Sequence, residues 1–341
     1  MQILINKTMK KLSIIGLMLI FQCHIAISQM DSIKYGLKGK IIRALCNSSS
    51  VPSECYAGLK GDKLGAGLVY KSEDFGKSWF VLNNGEPISP YVADIQAIAI
   101  SNHNDNIIYA GTWKDGLYKS IDKGSSWNRI TAVPSSDIRS IKTGVQTPSL
   151  IYAATSSFGV IKSADGGLTW ERNDPAAIDS SFKFAWSIEL DQRNDNIVYA
   201  QTFNKGVWKS IDQGNSWQQI LDVGNKVCWD AKISNKSNSI WVAASKSRDS
   251  LSVIYHSMDQ GETWHELDNV PQIGASQINV IERSAGDIIY IGSWSDGVYV
   301  LNNNMWTKVE SVDYQQISEI LINGQALLIG SWGNGLYKLD H

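Results

Sequence analysis

Short apolar runs alternate with turn residues along almost the whole chain. Ile95-Gln-Ala-Ile-Ala-Ile100 is followed by Ile107-Ile-Tyr-Ala-Gly-Thr-Trp113, then Lys114-Asp-Gly116, then Leu117-Tyr-Lys-Ser120. Short segments rich in β-branched and aromatic residues, bounded by Gly, Asp and Asn, predict strands rather than helices. Asp115-Gly116, Asp296-Gly297 and Asn334-Gly335 are hairpin signals, because a tight two-residue turn needs positive φ that these residues tolerate. Each repeat of the pattern holds an alternating inner strand, a pair joined by a tight turn, and a fourth strand.

The repeat has a fixed punctuation mark. Ser72-Glu-Asp-Phe-Gly-Lys-Ser-Trp79, Ser120-Ile-Asp-Lys-Gly-Ser-Ser-Trp127, Ser163-Ala-Asp-Gly-Gly-Leu-Thr-Trp170, Ser210-Ile-Asp-Gln-Gly-Asn-Ser-Trp217 and Ser257-Met-Asp-Gln-Gly-Glu-Thr-Trp264 align without gaps. The shared pattern is S-x-D-x-G-x-[ST]-W, with a degraded sixth copy at Leu301–Trp306. Successive Trp spacings are 48, 43, 47, 47 and 42 residues. A fixed period of this length marks a repeat architecture. An Asp can accept hydrogen bonds from turn amides, a Gly can take positive φ, and a Trp can pack its face while its N–H is satisfied locally.

This pattern resembles the Asp-box, or BNR, repeat over nearly all of the chain after residue 28. The resemblance implies that each box is the hairpin between the third and fourth strands of a propeller blade. Inner strands are expected to begin near Ile42, Ile95, Ile138, Ala185, Cys228, Ile278 and Ile317, which makes seven blades. The last blade lacks an outer strand, and residues from about Met30 to Tyr35 are expected to supply it. The expected fold is all-β: a seven-bladed β-propeller of four-stranded blades, with its ring closed by an N-terminal strand. Closure of this kind removes exposed sheet edges. The expected domains are a leader over 1–28 and a single propeller over 29–341.

Because Asp74, Asp122, Asp165, Asp212 and Asp259 recur once per blade, they are expected to be structural. Position-specific residues on the opposite face are the better candidates for function. The second residue of each inner strand should point into the central channel, which names Arg43, Gln96, Arg139, Trp186, Trp229, Asn279 and Ser318. Trp113, Phe203, Trp294 and Trp332 occupy one shared turn position on the same face. Aromatic platforms among a few polar groups are what a binding pocket requires. The alternatives are a water-filled channel and aromatics that merely pack between blades.

Composition narrows the function. With 31 basic against 33 acidic residues, the chain lacks the basic surplus that neutralises nucleic-acid phosphates. Lys7, Lys10 and Lys11, the apolar run Leu12–Phe21 and the Ala26-Ile27-Ser28 site read as a secretory leader. The expected location is therefore secreted or periplasmic, with no membrane span after cleavage. An uncleaved anchor and a lipoprotein at Cys23 are the alternatives. The short apolar run and Phe21-Gln22 before Cys23 speak against them. Cys46 aligns with Ala99 and Cys55 with Ile108, positions expected to face each other across a hairpin. A Cys46–Cys55 disulfide is therefore expected, with two buried thiols as the alternative. Cys228 is expected to be inert core. No Cys or His cluster has metal-ligand spacing, so neither a metal nor a cofactor is expected.

Several Asp-box families are enzymes. By resemblance, a sialidase would carry an Arg triad, a Tyr–Glu pair and an Arg-Ile-Pro motif. No such motif occurs, and only two Arg fall at the expected mouth. Xyloglucan-active glycosidases place two catalytic Asp between two propellers, whereas one is expected here. Asp230 and Glu189 are the acids nearest the channel. The chain is more similar to photosystem II assembly-factor propellers and, distantly, to sortilin-type ones. That resemblance implies a non-catalytic scaffold or recognition protein for a protein or peptide partner, with glycan binding or glycoside hydrolysis as the alternative; a monomer is expected.

Overall fold

The computed structural model describes residues 33–34, 37–61, 67–89, 94–134, 136–172, 180–234, 239–246, 251–273, 275–281, 288–302, 305–313, 316–323 and 326–340. The leader falls outside them. Seven four-stranded antiparallel sheets form the blades of a β-propeller. The inner strands, from blade 1 to blade 7, are Ile42–Asn47, Ile95–Ser101, Ile138–Thr143, Ala185–Leu190, Val227–Ser234, Ala275–Ile281 and Ile317–Asn323. Within each blade the order runs outward along the chain. Blade 7 is the exception: its fourth strand is Ile33–Lys34, paired with Leu336–Asp340. The ring therefore closes by pairing this early strand with the third strand of blade 7.

The core is a circle of seven apolar clusters, one at each blade interface. Ile42, Leu45 and Leu59 of blade 1 pack with Leu328 and Leu336 of blade 7. Leu150 and Tyr152 of blade 3 pack with Ile188 and Val198 of blade 4. Both faces of each blade are thus buried, which explains why the second strands read as continuous apolar runs. The second-strand glycines serve the same packing. A Cβ on Gly111 would lie 2.6 Å from Ile138 Cγ2, and one on Gly58 would lie 2.6 Å from Ile95 Cγ2. Their absence of a side chain lets the next blade's inner strand seat closely.

The S-x-D-x-G-x-[ST]-W turns close on themselves. In blade 1, Asp74 Oδ1 accepts from the Lys77 and Ser78 amides at 2.9 and 2.8 Å, and from Ser72 Oγ at 2.8 Å. Ser78 Oγ donates to Asp74 Oδ2, and the Gly76 amide donates to Ser72 Oγ at 2.8 Å. Trp79 Nε1 donates to the Gly76 carbonyl at 3.0 Å. Gly76 sits at φ +82, the left-handed region. The other four copies repeat these bonds, except that in blades 2, 4 and 5 the first of the two amides donates to the Asp main-chain carbonyl. Each terminal Trp then packs on the interface to the preceding blade, Trp79 on blades 7 and 1, Trp127 on blades 1 and 2.

The cysteines correct an expectation. Cys46 pairs with Tyr56, and Cys55 pairs with Asn47. The two are one register step apart and so face opposite sides of blade 1. Cys46 packs toward blade 2 and Cys55 toward blade 7. All three described thiols are free, and burial pushes Cys55 and Cys228 up to about 12.

Candidate functional site

A β-bulge in each inner strand builds the site. The register slips by one residue between Ile42 and Ala44, Ile95 and Ala97, Ile138 and Ser140, Ala185 and Ser187, and Cys228 and Asp230. Blades 6 and 7 repeat it between Ala275 and Gln277, and between Ile317 and Glu319. The extra residue is Arg43, Gln96, Arg139, Trp186, Trp229, Ser276 and Ser318 in turn. Bulges re-aim side chains out of the ladder, and in blades 1 to 5 and 7 they do so at one level around the ring. Asn279 is the exception to the expected set. It pairs with Tyr290, three residues past the bulge, because the inner strand of blade 6 begins at Ala275 rather than Ile278.

The turn aromatics are fixed to the same level. The amide of Trp113 donates to the Asp94 carbonyl, that of Phe203 to Phe184, and that of Trp332 to Gln316. Each bond ties the turn to the residue just before or beside the start of the blade's own inner strand. Arg43, Gln96, Arg139, Trp186, Trp229, Trp294 and Trp332 then line one mouth cavity of about 130 Å³ with Ile317, Ser318 and Glu319. Two aromatic clusters face each other there. In one, Trp294 and Trp332 meet edge to face at 5.0 Å. In the other, Trp186 lies 5.2 Å from Phe203 and 6.4 Å from Trp229, and Phe203 lies 6.0 Å from Trp229. Trp113 does not join them. It is 39% exposed, and Lys114 Nζ sits 4.5 Å above its ring.

Both arginines stitch neighbouring blades together. The Arg43 guanidinium lies 4.5 Å over Trp332 of blade 7 and 3.6 Å from Asp94 of blade 2. Arg139 donates to Gln96 of blade 2 at 2.7 Å, pairs with Asp137 at 2.8 Å, and lies 4.7 Å over Trp186 of blade 4. A carboxylate ligand would have to compete with Asp94 and Asp137 for these groups.

Below the mouth, the channel cavity of about 160 Å³ carries charge that sequence reasoning found only in part. Lys142 and Lys232 each sit 3.0 Å from Glu189, and Lys232 lies 3.6 Å from Asp230. Burial raises Glu189, but the two lysines more than offset it and hold it below the usual carboxylate range. Lys142, Glu189 and Lys232 share one register position, three residues past the bulge, opposite Tyr152, Tyr199 and Trp241. Glu319 is half-buried at the junction of the two cavities. An alternating pattern places such residues on a common face, but only the bulge position tells which alternate set faces the channel.

A third, more apolar groove of about 410 Å³ opens beside the mouth between Phe184, Trp186 and Phe203, with Arg139, Ser156 and Asn204 on its rim. Phe184 is 54% exposed there.

Solved structures share this architecture. An ancestral GH74 enzyme superposes with a TM-score of 0.71 at 19% identity, over 92% of this chain and 46% of that one. The chain thus spans about half the length of that enzyme. The GH74 xyloglucanase from Xanthomonas campestris gives 0.66 at 12%, over 91% and 53%. YCF48 bound to a D1 peptide gives 0.68 at 11%, over 91% of this chain and 96% of that one. No protein-family model and no curated protein matches the sequence. At these identities the likeness is one of fold: a seven-bladed β-propeller whose structural neighbours include the YCF48 and GH74 propellers.

Proposed function

We propose that this chain is an exported Asp-box propeller that recognises an extended protein or peptide segment on the face opposite the S-x-D-x-G-x-[ST]-W turns and catalyses nothing. The observation that carries this reading is the convergence of seven non-repeating residues, four of them Trp, on one mouth cavity. The mouth and channel are each smaller than the roughly 300 Å³ of the smallest usual small-molecule pockets. They suit one inserted side chain, while the rest of the ligand lies across the face and into the Phe184 groove. YCF48, similar in fold over nearly its whole length, is a propeller seen with a bound peptide. The channel acids Asp230 and Glu189 are both bridged by Lys232, which speaks against a freely reacting carboxylate pair.

A displayed random dodecapeptide library, selected on the protein and counter-selected on Trp186→Ala and Trp294→Ala variants of unchanged circular dichroism, tests the reading. Peptides that bind the parent protein and lose at least thirtyfold on both variants are expected. Failure to recover any peptide that distinguishes the variants would sink it. Trp229 is a poorer probe, because it is buried and its N–H donates to Ser245 at 2.7 Å.

Glycan binding is the second reading, favoured by the half-buried edge-to-face pair Trp294 and Trp332 and by the GH74 neighbours. It predicts saturable signal on a glycan array that weakens in Trp294→Ala. A blank array removes it.

A further inference from the structure

We propose that the bound segment is anchored by a basic side chain, a lysine ammonium or an arginine guanidinium, that passes the aromatic mouth and meets the carboxyl group of Glu319. This deepens the peptide-recognition reading and rests on it.

Glu319 follows the bulge residue of blade 7 and lines both the mouth and the channel cavities. Any group entering from the face reaches it first among the channel acids. Among the described residues, the channel lining holds three carboxyl groups, Glu189, Asp230 and Glu319, and three cations, Lys142, Lys232 and Arg139. Lys142 and Lys232 are committed to Glu189, and Lys232 also to Asp230. Among the described residues, no cation lies within ion-pair distance of Glu319. With Arg139 committed to Asp137, the described groups come one positive charge short when all these acids are ionised.

The groups that face Glu319 come from several blades. Burial pushes its carboxyl up to about 8, with Lys232 and Lys142 pulling down and Asp230 pushing up. The Cys46 thiol of blade 1 is close enough to feel its charge. Arg43 and Arg139 share the mouth cavity with it but are engaged by Asp94 and Asp137 and by the faces of Trp332 and Trp186. At neutral pH Glu319 thus holds a proton, and an entering cation would displace it, leaving the channel neutral. The aromatic collar favours the same charge, since ring faces attract cations.

Peptides recovered from the library selection are resynthesised, with each Lys or Arg replaced by norleucine, and binding is followed by calorimetry from pH 6 to 9. A shared basic residue is expected, and its norleucine form should bind at least tenfold more weakly. Because binding releases the Glu319 proton, affinity should tighten by up to about tenfold per pH unit below about 8 and level off above it. Glu319→Gln, which mimics the protonated acid in shape, should flatten that profile and weaken binding at pH 8.5. Mouth-dependent peptides with no common basic residue, equal binding of the norleucine forms, or a flat profile in the parent protein would each overturn the basic anchor while leaving mouth recognition standing. Recovery of no mouth-dependent peptide would remove both. The norleucine and pH arms need no variant, so a poorly folding Glu319→Gln leaves the test decisive.

Discussion

The two faces of the ring are built by opposite rules. On the turn face, five blades carry the same side chains in the same hydrogen bonds, all closed within eight residues. On the mouth face, the backbone repeats and the side chains do not: one bulge position carries Arg, Gln, Arg, Trp, Trp, Ser and Ser in successive blades. Repetition of chemistry marks what every blade needs in order to form. Repetition of geometry with varied chemistry marks a surface free to specialise.

The sharpest way to break this contrast is to exchange the consequences of mutation. Trp186→Ala and Trp294→Ala should each cost about 2–4 kcal/mol of peptide binding, as buried aromatic anchors do, measured by calorimetry on the selected peptides. Asp212→Ala should leave that binding within about twofold, so a comparable loss there would erase the division between faces.

Asp212→Ala should instead show in stability. It deletes the acceptor for the Ser216 amide, Ser216 Oγ and Ser210 Oγ. By analogy with removal of a helix cap, the loss is about 1–2 kcal/mol, read from denaturant midpoints. An unchanged midpoint would show that the turn is held by packing alone.

The faces should also respond oppositely to pH. Hydrogen bonds from the turn hold Asp259 down to about 2, and the other four box aspartates are lowered as well. A carboxylate held below its unfolded value of about 3.9 stabilises the fold above that pH. That contribution is lost as pH falls from about 4 through about 2. Glu319 lies on the other side, raised chiefly by burial to about 8. Its contribution is fully present below about 4.3 and is lost as pH rises toward 8 and through it. Chemical denaturation across pH should therefore show an acid limb that Glu319→Gln leaves alone and a decline between about pH 4.3 and about pH 8 that it removes.

The smallest expected effect is none at all. Reductant should not move the melting temperature, because Cys46 and Cys55 stand on opposite sides of blade 1. Three thiols should titrate after unfolding of protein lacking residues 1–28. A count of one would restore the disulfide.

The comparison also shows why one face was easier to read in the sequence than the other. The box residues act on neighbours in the chain, so their pattern carries its own explanation. The mouth residues act across blades. Arg139 touches blades 2, 3 and 4, and Arg43 touches blades 7, 1 and 2. Six of the seven bulge positions were nonetheless found, because the inner strands align on the boxes. The seventh slipped to Asn279, where the box itself is degraded and the spacing loses its anchor. The Cys46–Cys55 pairing slipped for the same reason at smaller scale: alignment between blades placed the residues, but a single step of register decides which face each one takes.

The period of the chain, the number of blades, the closing role of the N-terminal strand and the internal chemistry of the turns were all determined by the sequence itself, since each depends on local order along the chain. Tertiary structure alone decided that the inner strands bulge, that bulge and turn residues together bring two aromatic clusters to one mouth, that the arginines are already engaged, and that among the described residues no cation lies within ion-pair distance of Glu319. Those facts depend on side chains separated by whole blades, and only the closed ring brings them within reach of one another.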